Sequence, residues 1–101
     1  MITGTAKRQK HDKYQDYLYE RIKHSYNEIL TNIPLYSQKK GRRIAEIDIL
    51  AFHNDGCDIY EVKCSYRPVK AKKQLTKIKR LVPNVKNTFF FCGESGVLES
   101  V

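Results

Sequence analysis

Two runs of strand-forming residues separated by a short polar segment form the clearest pattern in the chain. The first run covers residues 45–52, the second covers residues 57–64, and the segment between them contains Asn-Asp-Gly. Glycine adopts positive φ angles without a steric penalty, so a segment of this kind is typical of a hairpin turn. The pattern predicts an antiparallel β-hairpin.

A helical repeat of apolar residues precedes the hairpin, from about Lys10 to Asn32. Its buried side would carry Tyr14, Leu18, Ile22, Ser25, Tyr26 and Ile29. Apolar residues spaced three and four apart predict an amphipathic helix. Pro34 disfavours the helical conformation in the residue before it, so we expect the helix to end there and a short strand to begin at Leu35.

A second helical repeat and an apolar run follow the hairpin. Pro68 suits the first turn of a helix, where its missing N–H is harmless, and Pro83 stops the repeat. The buried side of this helix would carry Ala71, Leu75, Ile78 and Val82. Residues 87–92, Asn-Thr-Phe-Phe-Phe-Cys, predict a strand covered on both faces. The helical crossover places this strand parallel to the second arm of the hairpin.

These elements predict one α/β domain over residues 1–101. A chain of 101 residues has room for a single modest core. The expected element order is helix, strand, hairpin, helix and strand, with a mixed central sheet flanked by helices. Residues 1–9 and 93–101 are expected to be loosely ordered.

Three ionisable residues interrupt the apolar pattern of the hairpin. Asp48 lies in its first arm, and Glu61 and Lys63 flank Val62 in its second arm. Side chains alternate between the two faces of a strand, so Glu61 and Lys63 share a face. Asp48 shares that face only if the loop has an even number of residues, because a one-residue slip reverses every side chain. A four-residue loop over residues 53–56 pairs Asp48 with Glu61, and a loop over residues 54–57 pairs it with Lys63.

Two neighbouring carboxylates repel each other unless a cation lies between them. Mg²⁺, or Mn²⁺ as its substitute, takes oxygen ligands and needs only one or two protein carboxylates. It would lower the pKa of a bound water and screen a phosphate, while a lysine beside it would orient the water. Asp48 followed thirteen residues later by Glu61-x-Lys63 is therefore a layout for metal-dependent phosphodiester hydrolysis. The alternative is a salt bridge on an edge hairpin.

The charge of the chain favours a polyanionic partner. There are 19 Lys and Arg residues against 11 Asp and Glu, a formal net charge of +8. Between Val62 and Gly93 there are nine Lys and Arg and no acidic residue. We expect phosphate contacts from the turn that contains Arg42 and Arg43, and from the second helix and its approach. The residues concerned on that side are Arg67, Lys70, Lys73, Lys77 and Arg80. A solvated basic surface is the alternative.

Cysteine usage and hydropathy suggest the cellular setting. The three cysteines are odd in number and form no Cys-x-x-Cys pair, which fits a cytoplasmic, reducing location. No apolar run approaches the roughly 18–20 residues needed to cross a bilayer, so a membrane partner is not expected. A small-molecule cofactor is not expected either.

The residues Ile47-Asp48-Ile49-Leu50 and Ile59-Tyr60-Glu61-Val62-Lys63 resemble the active-site motif of the PD-(D/E)XK nuclease superfamily, in particular archaeal Holliday-junction resolvases and RecB-type nucleases. The resemblance implies a restriction-endonuclease-like αβββαβ core and a metal-dependent nuclease, acting on DNA with RNA left open. It makes Asp48 and Glu61 the metal ligands, with a backbone carbonyl near Val62 as a third. Lys63 would position the water.

The resemblance also implies roles for two glutamines. Gln74-Leu75-Thr76-Lys77-Ile78 resembles the helix motif in which a glutamine lies beside the catalytic lysine or the substrate. Gln15 occupies the inward position where related nucleases carry an acidic residue on the first helix, whereas Glu20 is expected in solvent. Family members of this size often form symmetric homodimers, which would suit a branched substrate. The competing hypotheses are a non-catalytic nucleic-acid-binding module and a protein-interaction domain.

Overall fold

The computed structural model describes residues 5–101, with side chains from Arg8 onward. Its elements are α1 (Thr5–Ile22), β1 (Glu28–Tyr36), β2 (Arg43–His53), β3 (Gly56–Lys63), α2 (Pro68–Leu81), β4 (Val85–Cys92) and β5 (Val97–Ser100). The strands form one mixed sheet in the order β1-β2-β3-β4-β5. The β3–β4 pair is parallel and the other pairs are antiparallel. The predicted α/β class is therefore confirmed. None of the described helices has the length and apolarity needed to cross a membrane.

The predicted hairpin is formed by β2 and β3. Its turn contains only Asn54 and Asp55, because His53 already pairs with Gly56. The register is nevertheless that of the four-residue alternative, with Phe52 opposite Cys57. Pairing continues to Ile49 and Tyr60. One further step in the same register sets Asp48 opposite Glu61.

Gly56 fixes the turn of the hairpin against the segment between α2 and β4. A Cβ atom on Gly56 would lie 2.6 Å from the carbonyl oxygen of Asn84, which leaves no room for a side chain. The same carbonyl accepts a 3.0 Å hydrogen bond from the N–H of Cys57. The register is thus held from outside the hairpin as well as by its own ladder.

The prediction of the first helix is wrong beyond Ile22, where α1 ends. A short 3-10 helix (Lys23–Ser25) follows α1, and residues that had been predicted as helical up to Asn32 enter β1 at Glu28. The apolar repeat continued past the end of α1 because Tyr26 and Ile29 pack against the same core cluster as α1. They do so from outside the helix, before β1 and within it. Pro34 does not end a helix either. It lies inside β1, at the edge of the sheet, where a missing N–H is tolerated.

The sheet also contains a strand that was not predicted. Residues 97–100 form β5, which pairs with β4 from Phe89↔Ser100 to Cys92↔Val97. Loose order had been expected for residues 93–101 on composition alone. Loose order had also been expected for residues 1–9. Residues 1–4 lie outside the described residues, and residues 5–9 belong to α1.

One helix packs on each face of the sheet. Leu18 and Ile22 of α1 contact one face, in a cluster with Ile49, Ala51, Tyr60, Val62 and Phe91. Leu75 and Ile78 of α2 cover the other face, in a cluster with Ile47, Leu50, Cys57 and Ile59. The side chains of Phe90 and Phe91 pack on opposite faces of the sheet, because consecutive strand residues alternate. The second helix, with Pro68 at its start and Ala71, Leu75 and Ile78 buried, is as predicted.

Candidate active site

A cavity of about 590 Å³ lies at the carboxyl end of β3, between the first turns of the two helices. It brings together six of the residues singled out from the sequence, which are Asp48, Glu61, Lys63, Arg67, Lys70 and Gln74. The remaining lining residues are Arg8, His11, Glu46, Val62, Cys64 and Ser65. Residues that are far apart in sequence therefore converge on one concave site.

The cavity is located where β3 separates from β2. Regular pairing ends at Ile49 and Tyr60, and the N–H of Val62 donates instead to Oδ2 of Asp48, at 2.9 Å. Asn32 of β1 would be the next partner of Asp48 on the other side, but it has a φ of 55° and is skipped in the ladder. The strand backbone is therefore irregular on both sides of Asp48, and its carboxylate replaces part of the ladder.

Glu61 is a buried carboxylate whose hydrogen bonding is incomplete. Its side chain is 4% exposed, and Oε2 lies 3.4 Å from Nζ of Lys63. Oε1 is buried and has no hydrogen-bond partner. Burial, and then the charge of Asp48, raise the pKa of Glu61 from 4.5 to about 7, although Lys63 and His11 act in the opposite direction. A buried carboxylate in this condition needs a proton or a cation.

His11 of α1 reaches the same point and was missed in the sequence. Its Nε2 lies 3.0 Å from the carbonyl oxygen of Val62 and 3.4 Å from Oδ2 of Asp48. Because a carbonyl oxygen only accepts, Nε2 carries the hydrogen here. The hydrogen bond with Asp48 is the largest of the effects that raise the pKa of His11. Residues 11, 15 and 18 follow the inward-facing i, i+4, i+7 pattern of the helix, but this spacing alone does not separate His11 from the other inward-facing residues.

The oxygen atoms at this point are of the kind that a hard divalent ion takes as ligands. Asp48 Oδ2 and the carbonyl oxygen of Val62 lie 3.4 and 3.0 Å from Nε2 of His11, which in this state is a hydrogen-bond donor and not a metal ligand. Oε1 of Glu61 supplies an unused oxygen in the same cavity. Over residues 5–101, no three or more His, Cys, Asp or Glu side chains are grouped as metal ligands. A divalent ion bound here would therefore need the backbone carbonyl of Val62 and water molecules to complete its coordination.

The first two turns of α2 supply the positive wall of the cavity. Arg67, Lys70 and Gln74 line it and are themselves exposed. Their spacing of three and four residues places them on one side of the helix. Lys73, Lys77 and Arg80 are also exposed, but they do not line the cavity. The Nζ atom of Lys77 donates to the carbonyl oxygen of Ile44, at 2.5 Å.

The basic turn before β2 and Gln15 of α1 lie outside the cavity lining. Arg42 and Arg43 are exposed, and Arg43 forms an ion pair with Glu46, which does line the cavity. Gln15 is buried, and its Nε2 donates to Oδ1 of Asn32 at 3.0 Å while Oε1 has no partner. The helix position that the resemblance makes acidic is thus occupied by an amide that braces β1. The predicted solvent exposure of Glu20 is confirmed.

The chain matches no known protein-family model. It also matches no curated protein sequence.

Proposed function

We propose that the protein is a metal-dependent nuclease with a restriction-endonuclease-like core, hydrolysing phosphodiester bonds in DNA. The observation that carries the proposal is the buried, unpartnered Oε1 of Glu61 in a cavity that also holds Asp48 and Lys63. A buried carboxylate oxygen without a partner destabilises a fold unless it takes a proton or a cation, and a divalent cation is the partner that this proposal assigns to it. The element order α, β, β, β, α, β, which β5 then extends, is compatible with that core.

The residues of the cavity would have different roles in hydrolysis. Asp48, Glu61 and the carbonyl of Val62 would hold Mg²⁺ or Mn²⁺, and His11 would join them once Nε2 has lost its hydrogen. The ion would supply Lewis-acid stabilisation of the phosphate and a more acidic water. Lys63, held 3.4 Å from Glu61, orients that water and stabilises the developing negative charge.

The outer wall of the cavity positions the substrate. Arg67, Lys70 and Gln74 line the cavity. Arg67 and Lys70 would contact phosphates on either side of the scissile bond, and Gln74 would orient the reacting phosphate or the amine of Lys63. Such contacts are to the backbone and carry no sequence information, so recognition would follow the structure of the nucleic acid. The net charge of +8 makes binding steeply dependent on salt.

The test is cleavage of end-labelled single-stranded, duplex and four-way-junction DNA in Mn²⁺ or Mg²⁺, with EDTA as the metal-free control. Asp48→Asn should abolish cleavage, because it removes a charge from the ion site. Lys63→Ala should reduce the rate roughly 10²–10⁴-fold, the usual contribution of a general acid–base group. The matched controls are Asp16→Asn and Lys79→Ala, which change exposed residues outside the cavity and should cut at the wild-type rate.

A non-catalytic nucleic-acid-binding module is the second candidate. It is favoured by Gln15, an amide where an acidic residue is expected, and by the small number of side chains available as ligands among the described residues. Under this alternative the wild-type protein binds DNA in a salt-dependent way and leaves every substrate intact in Mn²⁺. That result would refute the nuclease.

A further inference from the structure

A second cavity, of about 460 Å³, lies beside the first on the α1 face of the sheet. Lys13, Tyr14 and Tyr17 of α1 form one side, and Phe91 of β4 closes the bottom. The turn between β4 and β5 forms the other side, with Gly93, Glu94, Ser95 and Gly96. None of these residues is used by the proposed catalytic site.

Tyr17 presents a flat aromatic surface in this cavity. The side chain is 59% exposed although it is large and mostly apolar. Its ring stacks on Phe91, with centroids 6.0 Å apart and an interplanar angle of 22°. Since Phe91 is only 1% exposed, it supports one face of the tyrosine and leaves the other face available.

The small residues of the β4–β5 turn keep the surface open. A Cβ atom on Gly93 would collide with the ring of Tyr14, so only glycine lets Tyr14 pack against the turn. At Gly96, which has a φ of +74°, a Cβ atom would meet nothing within 4 Å, so the turn is open on that side. A planar group can therefore lie on the exposed side of Tyr17, next to the turn.

The two cavities are separated by a thin wall of backbone. Lys63 and Cys64 line the first cavity and Gly93 and Glu94 line the second. The N–H groups of Gly93 and Glu94 donate to the carbonyls of Lys63 and Cys64, at 2.8 and 2.9 Å. The linings of the two cavities are therefore joined directly, through one pair of hydrogen-bonded backbone segments.

The charge at the entrance suits the same occupant. Lys13 stands at the edge of the cavity, and Lys10 offsets the one carboxylate there, with Nζ 3.7 Å from Oε2 of Glu94. An aromatic surface with cations at its edge is the arrangement that holds unpaired bases, because every base has a π-face and every nucleotide carries a phosphate.

We propose that this second cavity is a base-stacking subsite, in which Tyr17 holds one unpaired nucleotide beside the scissile phosphate. The proposal rests on the proposed function, since the first cavity must receive the phosphate. It assigns the substrate class: single-stranded nucleic acid, or a junction or flap with an unpaired nucleotide at the cleavage point. A base within an intact duplex is stacked on its neighbours and would first have to leave the stack.

The test measures binding in EDTA, so that it does not depend on cleavage. Fluorescence anisotropy compares a labelled single-stranded 15-mer with a hairpin duplex, for the wild type, Tyr17→Leu and Tyr17→Phe. Tyr17→Leu should weaken single-strand binding about 5- to 150-fold, the usual effect of losing one stacked base. Duplex binding should change less than twofold. Tyr17→Phe keeps the ring and should retain wild-type affinity.

The matched control is Tyr66→Leu. Tyr66 is 54% exposed and lines neither cavity. Its ring contacts Phe90, on the face of the sheet opposite to Phe91. A single-strand defect of equal size in Tyr66→Leu, an equal loss for duplex and single strand in Tyr17→Leu, or no loss at all would each overturn the subsite. A position-by-position scan with 2-aminopurine should show fluorescence quenching at one nucleotide in the wild type and none in Tyr17→Leu.

The two proposals fail in different ways. If Tyr17→Leu loses single-strand affinity selectively while the wild type cuts nothing in Mn²⁺, the stacking subsite stands and the nuclease falls. If the wild type cuts and Tyr17→Leu binds single strands normally, only the subsite falls.

Discussion

Two buried carboxylates lie three residues apart in β3, and their surroundings are opposite. Asp58 is 5% exposed and Glu61 is 3% exposed. Asp58 accepts hydrogen bonds from Tyr26 (2.7 Å), Asn87 (3.0 Å) and His53 (3.2 Å). Glu61 has one contact, with Lys63, and one oxygen with no partner. Both carboxylates are therefore inaccessible to solvent, but they differ in hydrogen bonding and in the charges that surround them.

The pKa values of the two carboxyls are shifted in opposite directions. Burial alone would raise the pKa of Asp58, but the three hydrogen bonds outweigh it and hold the pKa below its ordinary value. The pKa of Glu61 is raised to about 7. Asp58 is thus an anion that the fold supplies with three donors, whereas Glu61 has the amine of Lys63 near one oxygen and no partner for the other. A buried acid marks a candidate site when its partners are missing, and burial by itself does not.

The largest expected loss of stability comes from Asp58→Asn. The amide has one acceptor oxygen in place of two and brings an NH₂ group towards donors from Tyr26, His53 and Asn87. We expect the free energy of unfolding to fall by about 2–3 kcal/mol, the range for a hydrogen bond to a charged group. Urea unfolding monitored by circular dichroism measures it. Asp16→Asn, at an exposed position of α1, should change stability by less than about 0.5 kcal/mol. An equally stable Asp58→Asn would remove the contrast between the two carboxylates.

The matching substitution at the other carboxylate, Glu61→Gln, should act in the opposite direction. A carboxyl whose folded pKa lies above its unfolded value loses stabilisation as the pH rises from about 4.5 towards about 7. In EDTA, the wild-type unfolding free energy should therefore fall across this window relative to Glu61→Gln, by about 1.4 kcal/mol for each unit of pKa shift. Urea titrations at pH 5, 6, 7 and 8 measure the slope. Glu20→Gln, an exposed control, should keep the wild-type slope.

The smallest effect is expected at Tyr26→Phe. The hydroxyl of Tyr26 donates to Asp58 and lies 2.6 Å from that of Tyr60, which extends the network by one member. Asp58 keeps its bonds from His53 and Asn87, so the loss should be about 1 kcal/mol. Thermal or urea unfolding gives the value, with Tyr36→Phe as the exposed control. A loss as large as that of Asp58→Asn would mean that the hydroxyl alone anchors the carboxylate.

The hairpin, α2 and β4 could be predicted because local signals agreed with the final packing. Alternating strand residues around Asn-Asp-Gly, and a proline at each end of the second helix, each point to one conformation. The sequence left the loop length open, and the site hypothesis required an even loop. The observed pairing from His53↔Gly56 to Ile49↔Tyr60 is that of the four-residue loop, whose continuation by one step sets Asp48 opposite Glu61. The convergence of Asp48, Glu61 and Lys63 on one cavity follows from that register.

What could not be predicted depends on contacts between distant segments. Tyr26 and Ile29 are half-buried and occur at helical spacing. They nevertheless belong to the approach to β1 and to β1 itself, because a sheet edge at β2 was available to them. The short strand β5 exists only because β4 offers it an edge. His11 could not be distinguished from any inward-facing residue of α1 until β3 placed the carbonyl of Val62 beside it.

The tight contact between Gly56 and Asn84 makes the candidate site sensitive to changes far from it. Glu61 lies five residues along β3 from Gly56, a distance of about 17 Å at strand spacing. An alanine at position 56 would have to push the α2–β4 connection away or slide the strand, and a slide by one residue would turn Glu61 towards the opposite helix. A random screen for inactive variants should therefore recover position 56, a glycine with no chemistry of its own, alongside the acids and the lysine.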